Sequence, residues 1–239
     1  MSKSVFNRPR HKIVQKALAL FQPRFLEHSH CYFGGGTRIV LALHEYRESE
    51  DLDFLCSSRD GYRALRSTVT SASLGKIASP AVKLAREVMA DRYGIRTFLE
   101  VDGHKIKFEI VHEGRIDVSG SMDADLSLPA LDEHSCFAEK FLANADRWAD
   151  ESVFSRDVID LAFMMESWGS DAAARGHALA CAAYGDLTAD CAKRAARKLL
   201  DDKAYLKRCV ESLRVTETGK LASGLRKISS GKWASRHAK

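Results

Sequence analysis

The stretch Tyr32–Cys56, YFGGGTRIVLALHEYRESEDLDFLC, limits the fold of this 239-residue chain more than any other part. Gly34-Gly35-Gly36-Thr37 makes a turn, an apolar helical run occupies Thr37–Glu45, and a β-rich segment, Asp51–Cys56, closes the unit. A helix and a strand joined so tightly to a glycine turn predict helix packed on sheet. The turn offers backbone N–H groups and the Thr37 hydroxyl where the helix begins, which suits an anion. Asp51 and Asp53 alternate with Leu52 and Phe54, so both carboxylates point to one strand face and the apolar pair to the other.

Two carboxylates ~6 Å apart at an effective dielectric of ~20 repel by roughly 3 kcal/mol. A purely structural strand gains nothing from that repulsion unless cations or arginines offset it. Mg²⁺, with Mn²⁺ as the alternative, would remove it and share its remaining coordination with phosphate oxygens. An exposed edge strand with two solvated aspartates is the plainer reading, and the glycine turn ahead of the pair favours a site over it. Glycine turn, helix and D-x-D together suit the transfer of a nucleotide from a triphosphate.

The pattern G-G-T, L-A-L-H, S-E-D-L-D-F resembles the AbiEii-type nucleotidyltransferases, toxin halves of type IV toxin–antitoxin pairs, within the DNA polymerase β-like superfamily. The resemblance implies that Gly35, Gly36 and Thr37 bind the nucleotide, that Asp51 and Asp53 bind metal, and that a third carboxylate lies on a later strand. Arg96–Val111 reads as two β-runs joined at Asp102-Gly103, a hairpin signal. Ile106, Phe108 and Ile110 alternate with Lys105, Lys107 and Glu109, so Glu109 faces the polar side. Glu109 is therefore the candidate third metal ligand and proton acceptor; pairing with a lysine across the sheet is its bland alternative.

Phe137–Leu161, FAEKFLANADRWADESVFSRDVIDL, resembles the K…DR…RD-x-x-DL segment of the same family. The resemblance implies that Lys140 and Asp160 help hold the nucleotide or the acceptor, with Arg147 and Arg156 as further phosphate contacts. Read from spacing alone, Asp157 near a helix N-terminus serves the helix dipole, and Lys140–Arg147 is the wet side of an amphipathic helix.

Composition limits the remaining classes. The charged N-terminal residues, MSKSVFNRPRHKIVQ, lack the apolar core of a secretory signal, and no apolar run reaches membrane-spanning length. Six cysteines without C-x-x-C spacing argue against a zinc site and for reduced thiols in a cytoplasmic protein. The net charge of +5 is uneven: from Lys193 to Lys239 there are fourteen Lys/Arg against four Asp/Glu, an excess of ten, so the preceding chain is acidic by five. Such density suits a polyanion, RNA first, and Trp233 within it is a candidate base stacker.

Helical pattern runs from Pro9 to Gln22, with Pro23 stopping it, and again over Gly61–Ser71. Strand signals fall at Cys31–Phe33, Asp51–Cys56, within Leu84–Arg92, at Ile95–Val101 and at Lys105–Val111. Gly114–Leu131 reads as a turn-rich junction, and about five helices follow. The expectation is an α+β protein: residues 1–130 a nucleotidyltransferase domain built on a small mixed β-sheet with flanking helices, and 131–239 a helical domain. The function expected is metal-dependent transfer from an NTP to an RNA or tRNA hydroxyl, by a toxin with an antitoxin partner. A protein or small-molecule acceptor, or a binding protein of the same fold without catalysis, are the rival readings.

Overall fold

The computed structural model describes residues 6–233. They form two compact units, one comprising the chain up to Leu41 with Ser49–Asp132, the other Ala42–Glu48 with the chain from Glu133 onward. The architecture is α+β, a mixed sheet with helices in the first unit and a helical second unit.

The first unit contains α1 (Pro9–Leu18), α2 (Pro23–His28), β1 (Cys31–Phe33), α3 (Gly35–Ala42, whose last residue belongs to the second unit), β2 (Leu52–Cys56) and α4 (Arg59–Arg66). After them come β3 (Lys83–Leu84), β4 (Met89–Ala90), β5 (Gly94–Val101), β6 (His104–His112), β7 (Gly120–Asp123) and β8 (Leu128–Leu131). The sheet order is β3-β5-β6-β2-β1-β8-β7, with β4 also paired to β5. β1 runs parallel to β8 and β2 parallel to β6; the other pairs are antiparallel.

One sheet face is sealed by aromatics. Phe54 and Phe108 lie beneath Phe21, whose ring centroid is 5.2 Å from the first and 5.1 Å from the second. Ile106, Phe108 and Ile110 are buried as the alternation requires, which turns Lys107 and Glu109 to the opposite face. The Asp102-Gly103 turn forms with positive φ at both residues, and it sets the β5–β6 register.

Two expectations need correction. The first helix ends at Leu18 instead of Gln22, because Phe21 leaves it to pair with Ala78 in a β-bridge. Pro23 then begins α2, where a missing N–H is no loss, so it starts a helix instead of stopping one. The supposed junction Gly114–Leu131 contains β7 and β8, and β8 joins the sheet beside β1 with Phe33 opposite Ala130. All four β8 residues are buried, so they show no alternation for a sequence reading to detect.

The second unit holds α5 (Glu133–Arg147), α6 (Arg156–Ser167), α7 (Gly169–Tyr184), α8 (Leu187–Asp201), α9 (Lys203–Ser212) and α10 (Thr218–Ser230). α10 approaches α6 closely at Gly224, where an added Cβ would meet the Ala162 carbonyl at 2.2 Å. The segment Ala42–Glu48 is wired into this unit. The Tyr46 ring stacks on Phe163 with centroids 3.9 Å apart, the Thr216 amide donates to Tyr46 O at 2.7 Å, and the Glu48 amide donates to Leu213 O at 3.0 Å. Among the described residues no helix is long and apolar enough to cross a membrane, and all six cysteines are free thiols.

Candidate active site

The glycine turn and the first strands build a site in the sheet unit. The Gly34 amide donates to Asp53 O at 2.8 Å, tying the turn to β2. Gly35 has φ +67°, and a Cβ there would stand 2.5 Å from Asp53 Oδ2. Glycine is thus required twice at this position, for its backbone angle and for the carboxylate lying against it. Asp51 directly precedes β2 and Asp53 lies within it, both partly exposed, while Leu52 and Phe54 are fully buried on the other side.

Parallel pairing of β2 with β6 sets Asp53 opposite Glu109. Glu109 is already paired: Arg96 Nε donates to its Oε1 at 2.6 Å and Lys107 Nζ to its Oε2 at 2.9 Å. Burial works to raise the Glu109 pKa, but these two cations hold it below the usual carboxylate value. The carboxylate is therefore charged throughout the neutral range. Lys107 is raised in turn: burial opposes its charge, yet the bond to Glu109, and beyond it the fields of Asp53 and Asp51, outweigh burial. The three acids thus act on one ammonium group.

Among the described residues no three His, Cys, Asp or Glu side chains converge as a ready metal cage. The donor chemistry still fits a hard cation. Asp51 and Asp53 present oxygen donors on one strand face, and such ions commonly take one or two carboxylates and complete their shell with water and phosphate. Glu109 stands opposite Asp53 across the β2–β6 pairing, with one cation on each of its oxygens. Thr37 is fully buried with Oγ1 2.9 Å from Ser49 Oγ, so its hydroxyl joins the start of α3 to the chain entering β2 instead of opening to solvent.

Lys140 and Asp160 lie in the helical unit, within a buried ionic cluster. Asp160, fully buried, accepts from Tyr46 OH at 2.5 Å and from Arg47 Nε at 2.6 Å and Nη2 at 2.8 Å, and lies 2.7 Å from Lys140 Nζ. Lys140 also donates to Asp157 Oδ1 at 3.0 Å, and Arg147 binds Asp157 through Nε at 2.6 Å and Nη2 at 2.9 Å. Asp157 serves this cluster beyond any helix dipole, and Lys140 lies on the buried side of α5 instead of a wet one.

Trp233 is 3% exposed, stacks on Phe141 at 4.9 Å and donates Nε1–H to Ile228 O, so it is a core residue and presents no face to a base. Several of the C-terminal cations, including Lys193, Lys198, Arg208 and Lys227, are ion-paired within their own unit. Sequence reading passed over Arg96 and the Tyr46-Arg47 pair. Arg96 was within reach, since counting outward from the two-residue turn places it opposite Glu109. Tyr46 and Arg47 lie between motifs and carry no local signal.

A glycine turn set against a carboxylate-bearing strand of a mixed sheet, followed by a helical unit, is a nucleotidyltransferase architecture. A Helicobacter pylori protein provisionally assigned as a nucleotidyltransferase shares the fold, with a TM-score of 0.51 and 14% identity over 92% of this chain and 93% of that one. JHP933 from the same organism shares it too, with a TM-score of 0.52 and 13% identity over 95% and 94%. At such identities the likeness is one of fold. Residues 18–220 match the family described as nucleotidyl transferase AbiEii toxin, type IV TA system, and the chain belongs to that family. No curated protein matches the sequence.

Proposed function

We propose that the protein transfers a nucleoside monophosphate from an NTP to an acceptor hydroxyl on RNA, tRNA included, as the toxin of a toxin–antitoxin pair in the cytoplasm. The observation that carries this reading is Asp53, seated on Gly35 and held opposite Glu109 by strand pairing. Asp51 and Asp53 would hold Mg²⁺ or Mn²⁺, and the amides of Gly35 and Gly36 at the start of α3 suit the triphosphate. Bound there, the cation would offset charge on the departing pyrophosphate and acidify the acceptor hydroxyl. Lys107, 43% exposed and bonded to Glu109, would move onto a phosphate oxygen of the bound nucleotide and release Glu109. Freed of that partner, Glu109 would take the acceptor proton. Net charge of +5 with a basic C-terminal stretch supports a polyanionic acceptor over a small neutral one.

The test is incubation with each labelled NTP, Mg²⁺ and total RNA. Label in RNA supports the reading; label in protein alone, or in neither, overturns the acceptor or the activity respectively. Glu109→Gln is expected to lower turnover at least a hundredfold while the protein melts near the wild-type temperature, because its two cations, Arg96 and Lys107, are 39% and 43% exposed and can turn to solvent. Near-wild-type turnover in that variant would reduce Glu109 to a cross-strand ion-pair partner.

A further inference from the structure

The turn joining β4 to β5, Asp91-Arg92-Tyr93, is closed by hydrogen bonds. Asp91 Oδ1 accepts from the amides of Tyr93 at 2.7 Å and Gly94 at 3.0 Å, and the Asp91 amide donates to Gly94 O at 3.0 Å. At its tip Tyr93 is 57% exposed. The Arg92 guanidinium lies over one face of the ring, 4.5 Å from its centroid.

Helix α4 is locked to the base of this turn. Tyr62 donates its hydroxyl to Asp91 O at 2.6 Å, its ring stacks on His112 at 4.5 Å, and His112 Nδ1 lies 3.1 Å from Arg92 O. With Tyr62 and Leu65 turned inward, Arg59, Arg63 and Arg66 are exposed at a spacing that keeps them on one helix face. Burial pushes the Tyr62 hydroxyl up to about 12, with the Asp91 charge adding to the rise and Arg66 and Arg96 opposing it.

Arg96 links this surface to the candidate active site. Its Nη1 is 3.4 Å from Asp91 Oδ2, and its Nε is 2.6 Å from Glu109 Oε1. The turn that carries Tyr93, with α4 bonded to its base through Tyr62, is therefore joined through Asp91 and Arg96 to the carboxylate that would receive the acceptor's proton. Arginines alone attract any polyanion, whereas a tyrosine face adds base stacking, which a duplex with its bases already stacked cannot use.

We propose that Tyr93 and the arginine face of α4 form the acceptor platform, on which an unpaired RNA end stacks a base while its phosphates follow Arg63 and Arg66. The proposal rests on the nucleotidyltransferase reading above, and binding measured without NTP separates the failure of one from that of the other.

The probe is a fluorescein-labelled single-stranded RNA 12-mer of mixed sequence, compared with the same strand annealed to its complement, by anisotropy over a salt series. Tyr93→Ala is expected to weaken single-strand binding about tenfold and leave duplex binding unchanged, with Tyr93→Phe restoring it. Arg63→Gln with Arg66→Gln is expected to weaken both and to lower the single-strand salt slope by about 1.4, for two phosphates at roughly 0.7 each. These residues are at the surface, so melting temperatures serve as the folding control. Single-strand affinity within twofold of wild type in Tyr93→Ala, or equal losses on single strand and duplex, would overturn the platform. A wild-type protein that binds neither probe would overturn it as well.

Discussion

Asp53→Asn should lower nucleotide transfer by at least three powers of ten and leave the fold unaltered. The side chain keeps its shape, so it still fits the space that the missing Cβ of Gly35 leaves open. What disappears is half the charge that would hold the cation. Charge stabilisation by a bound metal amounts to several kcal/mol of the barrier, and each ~1.36 kcal/mol is tenfold in rate. Stability should stay level or rise slightly, because one member of a repelling acidic pair becomes neutral and the site is only partly buried. Single-turnover label transfer together with a thermal melt reads both effects. Activity within tenfold of wild type would end the metal-dependent reading, whereas a collapsed melting temperature would mean that Asp53 serves the fold first.

The sheet unit was legible wherever one face is buried and the other is not. Period-two alternation gave β6 its orientation and placed Glu109 correctly on the polar face. It failed at β8, where Leu128, Pro129, Ala130 and Leu131 are all buried and leave no contrast to read. The glycine turn was legible because Gly35 must accept both φ +67° and a carboxylate at its bare Cα. Long-range pairing was not. Glu109 looked like a ligand or a lysine's partner, and only the register shows that it also meets Arg96 across β5. Likewise nothing local joins Arg47 to Asp160, 113 residues apart, so Lys140 and Asp160 read as residues that hold the nucleotide or the acceptor, and the fold buries them among opposite charges.

Asp160→Asn is expected to destabilise the helical unit by about 3–5 kcal/mol, the usual cost of leaving buried partners of an ion pair uncompensated. Arg47, Lys140 and Arg147 face two carboxylates in the wild type, a net of one positive charge, and the substitution leaves three cations facing Asp157 alone. The pH dependence has a definite sign. Burial would raise both aspartates, but Arg47 with Lys140 lowers Asp160, and Lys140 with Arg147 lowers Asp157. A carboxylate lowered in the folded state contributes its full stability above the unfolded value of about 4 and loses it as pH falls through the folded pKa. Urea midpoints should therefore drop below about pH 4 in wild type, and drop less in Asp160→Asn. Replacing the whole Arg47–Asp160–Lys140 set with apolar residues of similar volume should recover much of the lost stability, as buried ion pairs often allow. A direct nucleotide contact makes the opposite forecast for Asp160→Asn: weakened NTP affinity with an unchanged melt.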